Sequence, residues 1–370
     1  MQTNFSRRDV LKAVIAGSVC LGTNFIASKS HAALTSITLD QCSAMSISEI
    51  ASSSGEVMAA WEYLNKAAHE IRNPAIRRSV IEIISNPNPS LLHACDTKEV
   101  LKALKAHNFV AQDATTFLPN AKDGDTALQP FYTAPGSGYG SHHAYPGGLV
   151  THTGLNVKMA IDMHKNYSDT YNMHADRDIV IAAQILHDLH KPWVFQWESD
   201  NASRTEQVLA GTGEHHVLSL AESIHRGLPA KVIIAQAGAH IHPGTPETEA
   251  QMVNWLTAAA IIVGKDAIAL GLVAQDGKTL PQPRGVEAFI THVADHDYVL
   301  SVPSVKWLLP VMKKIAQECY GIQGADLEGK VYNNLRNYIF AQVTAMTLYH
   351  HYTQYGEKGV RDYMLQIVRV

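Results

Sequence analysis

Ile179-Val180-Ile181-Ala182-Ala183-Gln184-Ile185-Leu186-His187-Asp188-Leu189-His190-Lys191 is the stretch on which the fold reading turns. Ile179, Ala182, Ala183 and Leu186 recur at helical spacing and set an apolar face toward an interior. His187 and Asp188 follow where that helix ends. A carboxylate carried inside at this point needs a cation to offset its desolvation. The negative end of the helix dipole favours a cation at the same place.

Outward from this segment, nearly everything reads as helix. Apolar positions at helical spacing run through 46–72, and Asn73-Pro74 opens another helix toward Ile84. Asn86-Pro87-Asn88-Pro89 ends it, and Asp96-Thr97-Lys98-Glu99 starts a helix through Leu104. Residues 108–146 are rich in Gly, Pro, Asp and Ser and read as a long ordered loop. Gly136, Gly138 and Gly140 have no strand before them, which weakens a nucleotide-binding reading. Helices are expected over about 149–166, 177–190, 214–227, 230–240, 247–271, 285–300, 303–318 and 326–352. The apolar segment 253–273 is interrupted by Asn254, Lys265 and Asp266, so a buried helix is expected there rather than a membrane span. The class is all-α; an N-terminal helical region 33–130, a histidine-rich region 131–300 expected to bind metal and C-terminal helices 301–370 expected to pack on it are distinguished, with the first two left open as one domain or two.

The composition fits a folded chain. The 370 residues are 46% hydrophobic and only 17% charged, which argues for a generous core and against disorder. A net charge of −4 supplies no basic track for a nucleic acid, so none is expected as a partner. Histidine is the outlier: 20 in all, fourteen of them between His142 and His296.

Residues 1–32 read as an address. Ser6-Arg7-Arg8-Asp9-Val10-Leu11-Lys12, an apolar run from Ala13 to Ala27, and Ser30-His31-Ala32 resemble a twin-arginine export signal cleaved near Ala32. The remaining chain would be periplasmic or exported and more acidic still. It would keep Cys42, Cys95 and Cys319, enough for at most one disulfide. Export after folding allows a metal to be loaded where the cell controls its supply.

The candidate ligands are His152, the pair His187-Asp188, His215-His216, His240, His242, and Asp295-His296-Asp297. Imidazoles with carboxylates are the ligand set of a first-row metal that keeps positions open for water and substrate. No cysteine falls among them, which argues against a structural zinc site.

Ser141-His142-His143-Ala144-Tyr145-Pro146-Gly147-Gly148-Leu149-Val150-Thr151-His152-Thr153, followed by Ala183 to Lys191, resembles the HD-domain metal-dependent phosphohydrolase superfamily over roughly residues 140–300. The resemblance implies an HD-domain helical bundle with additional N- and C-terminal helices. Carried over residue by residue, it makes His152 the first metal ligand, His187 and Asp188 the central dyad, and Asp295 the last ligand. For the two-metal branch it adds His215, with His216 as the alternative, and His240, with His242 as the alternative. Asp188 would bridge two ions or act as a general base. Lys191 would approach the substrate phosphate. His142 and His143 lead directly into the ligand helix, as a plain loop pair or as groups that bind the phosphate or supply acid catalysis. His190 stands where the family commonly has glycine, at some strain if that position is left-handed.

The implied activity is hydrolysis of a small phosphate ester or nucleotide by a metal-activated hydroxide, with two divalent ions expected, drawn from Mn, Fe, Mg, Co or Zn. The same six ligands would also suit a mixed-valence di-iron oxygenase, and the scaffold could serve a non-catalytic binding protein. The sequence leaves the oligomeric state open.

Overall fold

A computed structural model of the chain describes residues 34–119 and 129–370. The export-signal reading falls on residues outside these. Among the described residues the architecture is all-α. In chain order the helices are α1 Leu39–Ala44, α2 Ile47–Ser53, α3 Gly55–His69, α4 Pro74–Ser85, α5 Thr97–Ala106, α6 Gly148–Tyr171, α7 Arg177–Leu186, α8 Lys191–Val194, α9 Glu214–His225, α10 Ala230–Gly238, α11 Pro246–Ile262, α12 Glu287–Ala294, α13 Tyr298–Tyr320 and α14 Lys330–Ile367. The strands are two-residue pairs: β1 Ile37–Thr38 runs parallel to β4 Val368–Arg369, and β2 Val208–Leu209 antiparallel to β3 Thr212–Gly213.

The helix α7 is the axis of the molecule. Asp176 caps its start by accepting from the amides of Asp178 and Ile179, and every residue from Ile179 to Leu186 is buried. Full burial of each large aliphatic side chain here contributes on the order of 2 kcal/mol. It is covered by α6 and by α10, and α12 closes over both of those. Outside this layer α9 packs on α11, while α14 packs along α13 and over α1, α2 and α3. One hydrophobic cluster extends from Cys42 to Val368. Cys42, Cys95 and Cys319 are free thiols. Among the described residues no helix is long and apolar enough to cross a membrane.

Several helix boundaries differ from the sequence expectation. The predicted helix over 46–72 is broken at Ser54, whose hydroxyl donates to the Ala341 carbonyl at 2.6 Å and accepts from the Val57 amide at 3.0 Å. That one side chain caps α3 and ties it to α14. The helix expected to reach 271 stops at Ile262, because Gly264 turns left-handed and the Lys265 amide returns to the Ala260 carbonyl. The expected 285–300 helix ends at Ala294; the turn 295–297 separates it from α13, which runs through Pro303 and Pro310. The last helix continues past 352 to Ile367, with non-helical backbone at Thr344 and Gly356.

Candidate metal centre

The end of α7 delivers His187 and Asp188 into a buried space, as its sequence requires. Around them converge His152 from α6, His215 from the first turn of α9, His240 just past α10, and Asp295 just past α12. The glycines before α6 make this possible. Gly147 has φ +84° and lies against Val57; a Cβ on Gly148 would lie 1.7 Å from the His143 carbonyl oxygen. Only glycine permits the loop 136–147 to fold down onto the start of α6.

Asp188 is fully buried and its two oxygens face different neighbours. Oδ2 lies 3.0 Å from His187 Nε2, 3.4 Å from His152 Nε2 and 2.6 Å from Lys191 Nζ. Oδ1 lies 3.3 Å from His215 Nε2 and 3.4 Å from His240 Nε2. Asp295 Oδ1 completes the first group, 3.0 Å from His152 Nε2 and 3.2 Å from His187 Nε2, while its Oδ2 lies 3.4 Å from His240 Nδ1. Neither oxygen of Asp188 accepts an aligned hydrogen bond, and His240 Nε2 makes none.

Buried atoms that face one another without aligned hydrogen bonds fit a metal ion. So does the charge. Burial works to raise Asp188 and Asp295, yet His187 and its neighbours hold both well below the usual carboxylate range. Burial likewise works to lower His187, but Asp188 and Asp295 outweigh it and push it up to about 9. Burial dominates at His240 and brings it down to about 3. Ionised carboxylates that draw protons onto His187 and His152 mark a space that asks for positive charge.

The imidazoles are also held from behind. His187 Nδ1 lies 2.7 Å from the Gln184 carbonyl, His215 Nδ1 2.5 Å from Glu206 Oε2, and His152 Nδ1 3.2 Å from Asp297 Oδ1. Fixing one ring nitrogen sets the tautomer and turns the other toward an ion. Asn156 donates to Asp295 Oδ1 at 2.8 Å.

His142 lines the cavity, its Nδ1 buried without a partner. Its neighbour does not. His143 has φ +53° and turns its ring away, with Nε2 2.9 Å from Asp297 Oδ2 and Nδ1 3.3 Å from the Tyr145 hydroxyl. In this geometry His143 stands behind His152, in contact with Asp297, and is not part of the cavity lining. His190 is not left-handed: φ is −100°, so the missing glycine costs no strain. Its ring is buried against Trp193 and lies 3.6 Å from Glu222, outside the cavity. His242 also lies away from it, its Nδ1 accepting from the Gly244 amide and its ring against His292. His216, the alternative to His215, is present as well, stacked on His240.

Asp297, already among the candidate ligands, contacts His152 and His143, while Glu206 takes part without having been singled out in the sequence. Asp297 stands two residues after Asp295, a signal within reach. Glu206 lies in the irregular stretch after α8, where no periodicity marks it.

The cavity holds about 480 Å³ and is lined by His142, His152, Lys191, Glu206, His215, His216, His240 and Asp295. Tyr139, Phe195 and Tyr298 supply its apolar wall. This volume suits a small molecule. Lys191 Nζ is anchored at its edge by the Gly136 carbonyl at 2.6 Å.

No family model matches the chain, and no solved structure matches it. The chain is similar to the dihydroneopterin 2',3'-cyclic phosphate phosphodiesterase of Methanocaldococcus jannaschii, 28% identical over 179 residues. That alignment covers 48% of this chain and 59% of the relative.

Proposed function

We propose that the chain is a metal-dependent phosphohydrolase acting on a small phosphate ester, with a phosphodiester or cyclic phosphate as the first substrate class to try. The observation that carries this is the division of Asp188 between two sets of imidazoles, one oxygen to each. His152, His187, Asp295 and Asp188 would hold one divalent ion, and His215, His240 and Asp188 a second. Such ions supply an acidified water and draw charge from phosphoryl oxygens. The similarity to a phosphodiesterase supports the same reaction class.

The chain's own residues complete the site. Lys191 offers its ammonium to a phosphoryl oxygen while Gly136 and Asp188 keep it in place. Burial, with His152 and His143 nearby, keeps His142 neutral at physiological pH, so it can donate an N–H to the phosphate without adding charge. Tyr139, Phe195 and Tyr298 offer an apolar wall against which a planar leaving group can lie. Export of the folded chain through the twin-arginine signal is part of the proposal.

The test is metal content together with turnover of a panel of phosphomonoesters, nucleotides and 2',3'-cyclic phosphates. Metal-dependent ester hydrolysis lost in His187→Ala is the expected result. Oxygen-dependent turnover with a coupled Fe(II)/Fe(III) resonance, and no hydrolysis, would replace this reading with the oxygenase.

A further inference from the structure

His215 and His216 both point into the site, although the two were expected to be alternatives. The His216 ring meets the His215 ring edge-on with centroids 4.1 Å apart. It lies flat on the His240 ring, with centroids 3.5 Å apart and planes at 19°. A donor nitrogen from each of the three rings falls within 4.8 Å of the others. Two metal–nitrogen bonds of about 2.1 Å span at most about 4.2 Å, so closing on an ion draws the three nitrogens together and splays the stacked His216 and His240 rings until both planes contain it.

The second ring nitrogen of His216 is already engaged. Its Nδ1 lies 2.6 Å from Thr212 Oγ1, on the turn that enters α9. This is the same rear anchoring that Glu206 gives His215 and Gln184 gives His187, and it leaves Nε2 as the free donor. His242 neither lines the cavity nor joins this group of donor nitrogens.

We propose that His216 is a third imidazole ligand of the second metal position, beside His215, His240 and Asp188 Oδ1. The two positions then differ in chemistry. The first has two imidazoles and two carboxylates; the second has three imidazoles and one carboxylate oxygen. The nitrogen-rich position favours a later first-row ion such as Fe, Co or Zn, and disfavours Mg. The chain is thus built for unequal ions or unequal affinities. This inference rests on the metal-dependent reading above.

The experiment strips the full chain of metal and titrates it with Co(II), following visible absorption and bound metal after dialysis against graded chelator. The wild type should hold two equivalents of separable affinity. His216→Ala and His216→Gln should weaken one equivalent by about 10- to 100-fold and change its spectrum, leaving the other unaltered. His242→Ala should change neither. Far-UV circular dichroism and the melting temperature of the metal-free variants show whether they are folded. If the His216 variants are folded and bind both equivalents as the wild type does, while His187→Ala loses metal, the His216 assignment is overturned alone. If the wild type binds no Co(II), both it and the metal-dependent reading fall.

Discussion

Asp297 lies 2.9 Å from His143, a residue 154 positions earlier in the chain. The other oxygen of the same carboxylate lies 3.2 Å from His152 Nδ1. The loop before α6 and the turn before α13 are thereby joined behind one candidate ligand. Asp297→Asn keeps the shape and removes the charge that orients His152. Metal affinity should fall by about 10- to 100-fold with the melting temperature nearly unchanged. Because His143 acts through the same carboxylate, adding His143→Ala to Asp297→Asn should cost less than the two single losses together. Chelator competition on the four proteins reads this directly.

Metal uptake should depend on pH with a defined sign. In the metal-free protein Asp188 and Asp295 outweigh burial and raise His187 to about 9, so at neutrality it carries a proton that a metal must displace. Apparent affinity should therefore climb as pH rises from neutrality toward about 9, roughly tenfold per unit for each proton released. Calorimetric titration in buffers of different ionisation enthalpy counts those protons. An affinity that is flat from neutrality to pH 9 would falsify the assignment of His187 to the ion.

Lys191 should matter to turnover and not to metal retention. Its ammonium lies 2.6 Å from Asp188 Oδ2, where it competes with any ion for the same oxygen. Lys191→Gln should lower kcat/KM by about 100-fold, the scale of losing one stabilising group at a developing charge. Bound metal should stay level or rise. A parallel loss of metal and activity would make the lysine structural.

Glu222 offers a test of stability away from the cavity. It accepts from the Ser90 amide and hydroxyl, the Leu91 amide and Arg226 Nε, and it is buried. Burial works to raise its carboxyl, but His190, Ser90 and Leu91 together hold it well below the usual range. A depressed carboxylate stabilises the fold above its unfolded value near 4.5, and the contribution is lost as pH falls through the folded value. Glu222→Gln should cost about 2–3 kcal/mol at neutral pH. In urea unfolding, the gap to the wild type should narrow in strong acid, where both carry a neutral group.

Legibility in the sequence followed range and regularity. The inward face of α7 was plain from Ile179, Ala182, Ala183 and Leu186, and the pair at its end followed from dipole and desolvation. The spacing of the other imidazoles gained meaning only through a family resemblance; helical periodicity alone does not say that His152 and His240 share a pocket. Ser54 was hidden because a cap within a run of apolar helix looks like one more polar position. Its role depends on Ala341, 287 positions away. Glu206 was hidden for a similar reason, since an irregular segment gives no phase from which to infer a direction. His143 was visible but its backbone sign was not, and that sign decides whether the ring faces substrate or Asp297.

The pairing of Ile37 with Val368 and of Thr38 with Arg369 has a consequence in time. A ribosome adding about 5–20 residues per second delivers the second partner tens of seconds after the first. Through that interval the seat of α1 on α14 does not exist, and the apolar faces of the early helices must wait for their cover. Those faces stay uncovered until Val368 and Arg369 have been made, and a chain lacking these two residues would lose the pairing.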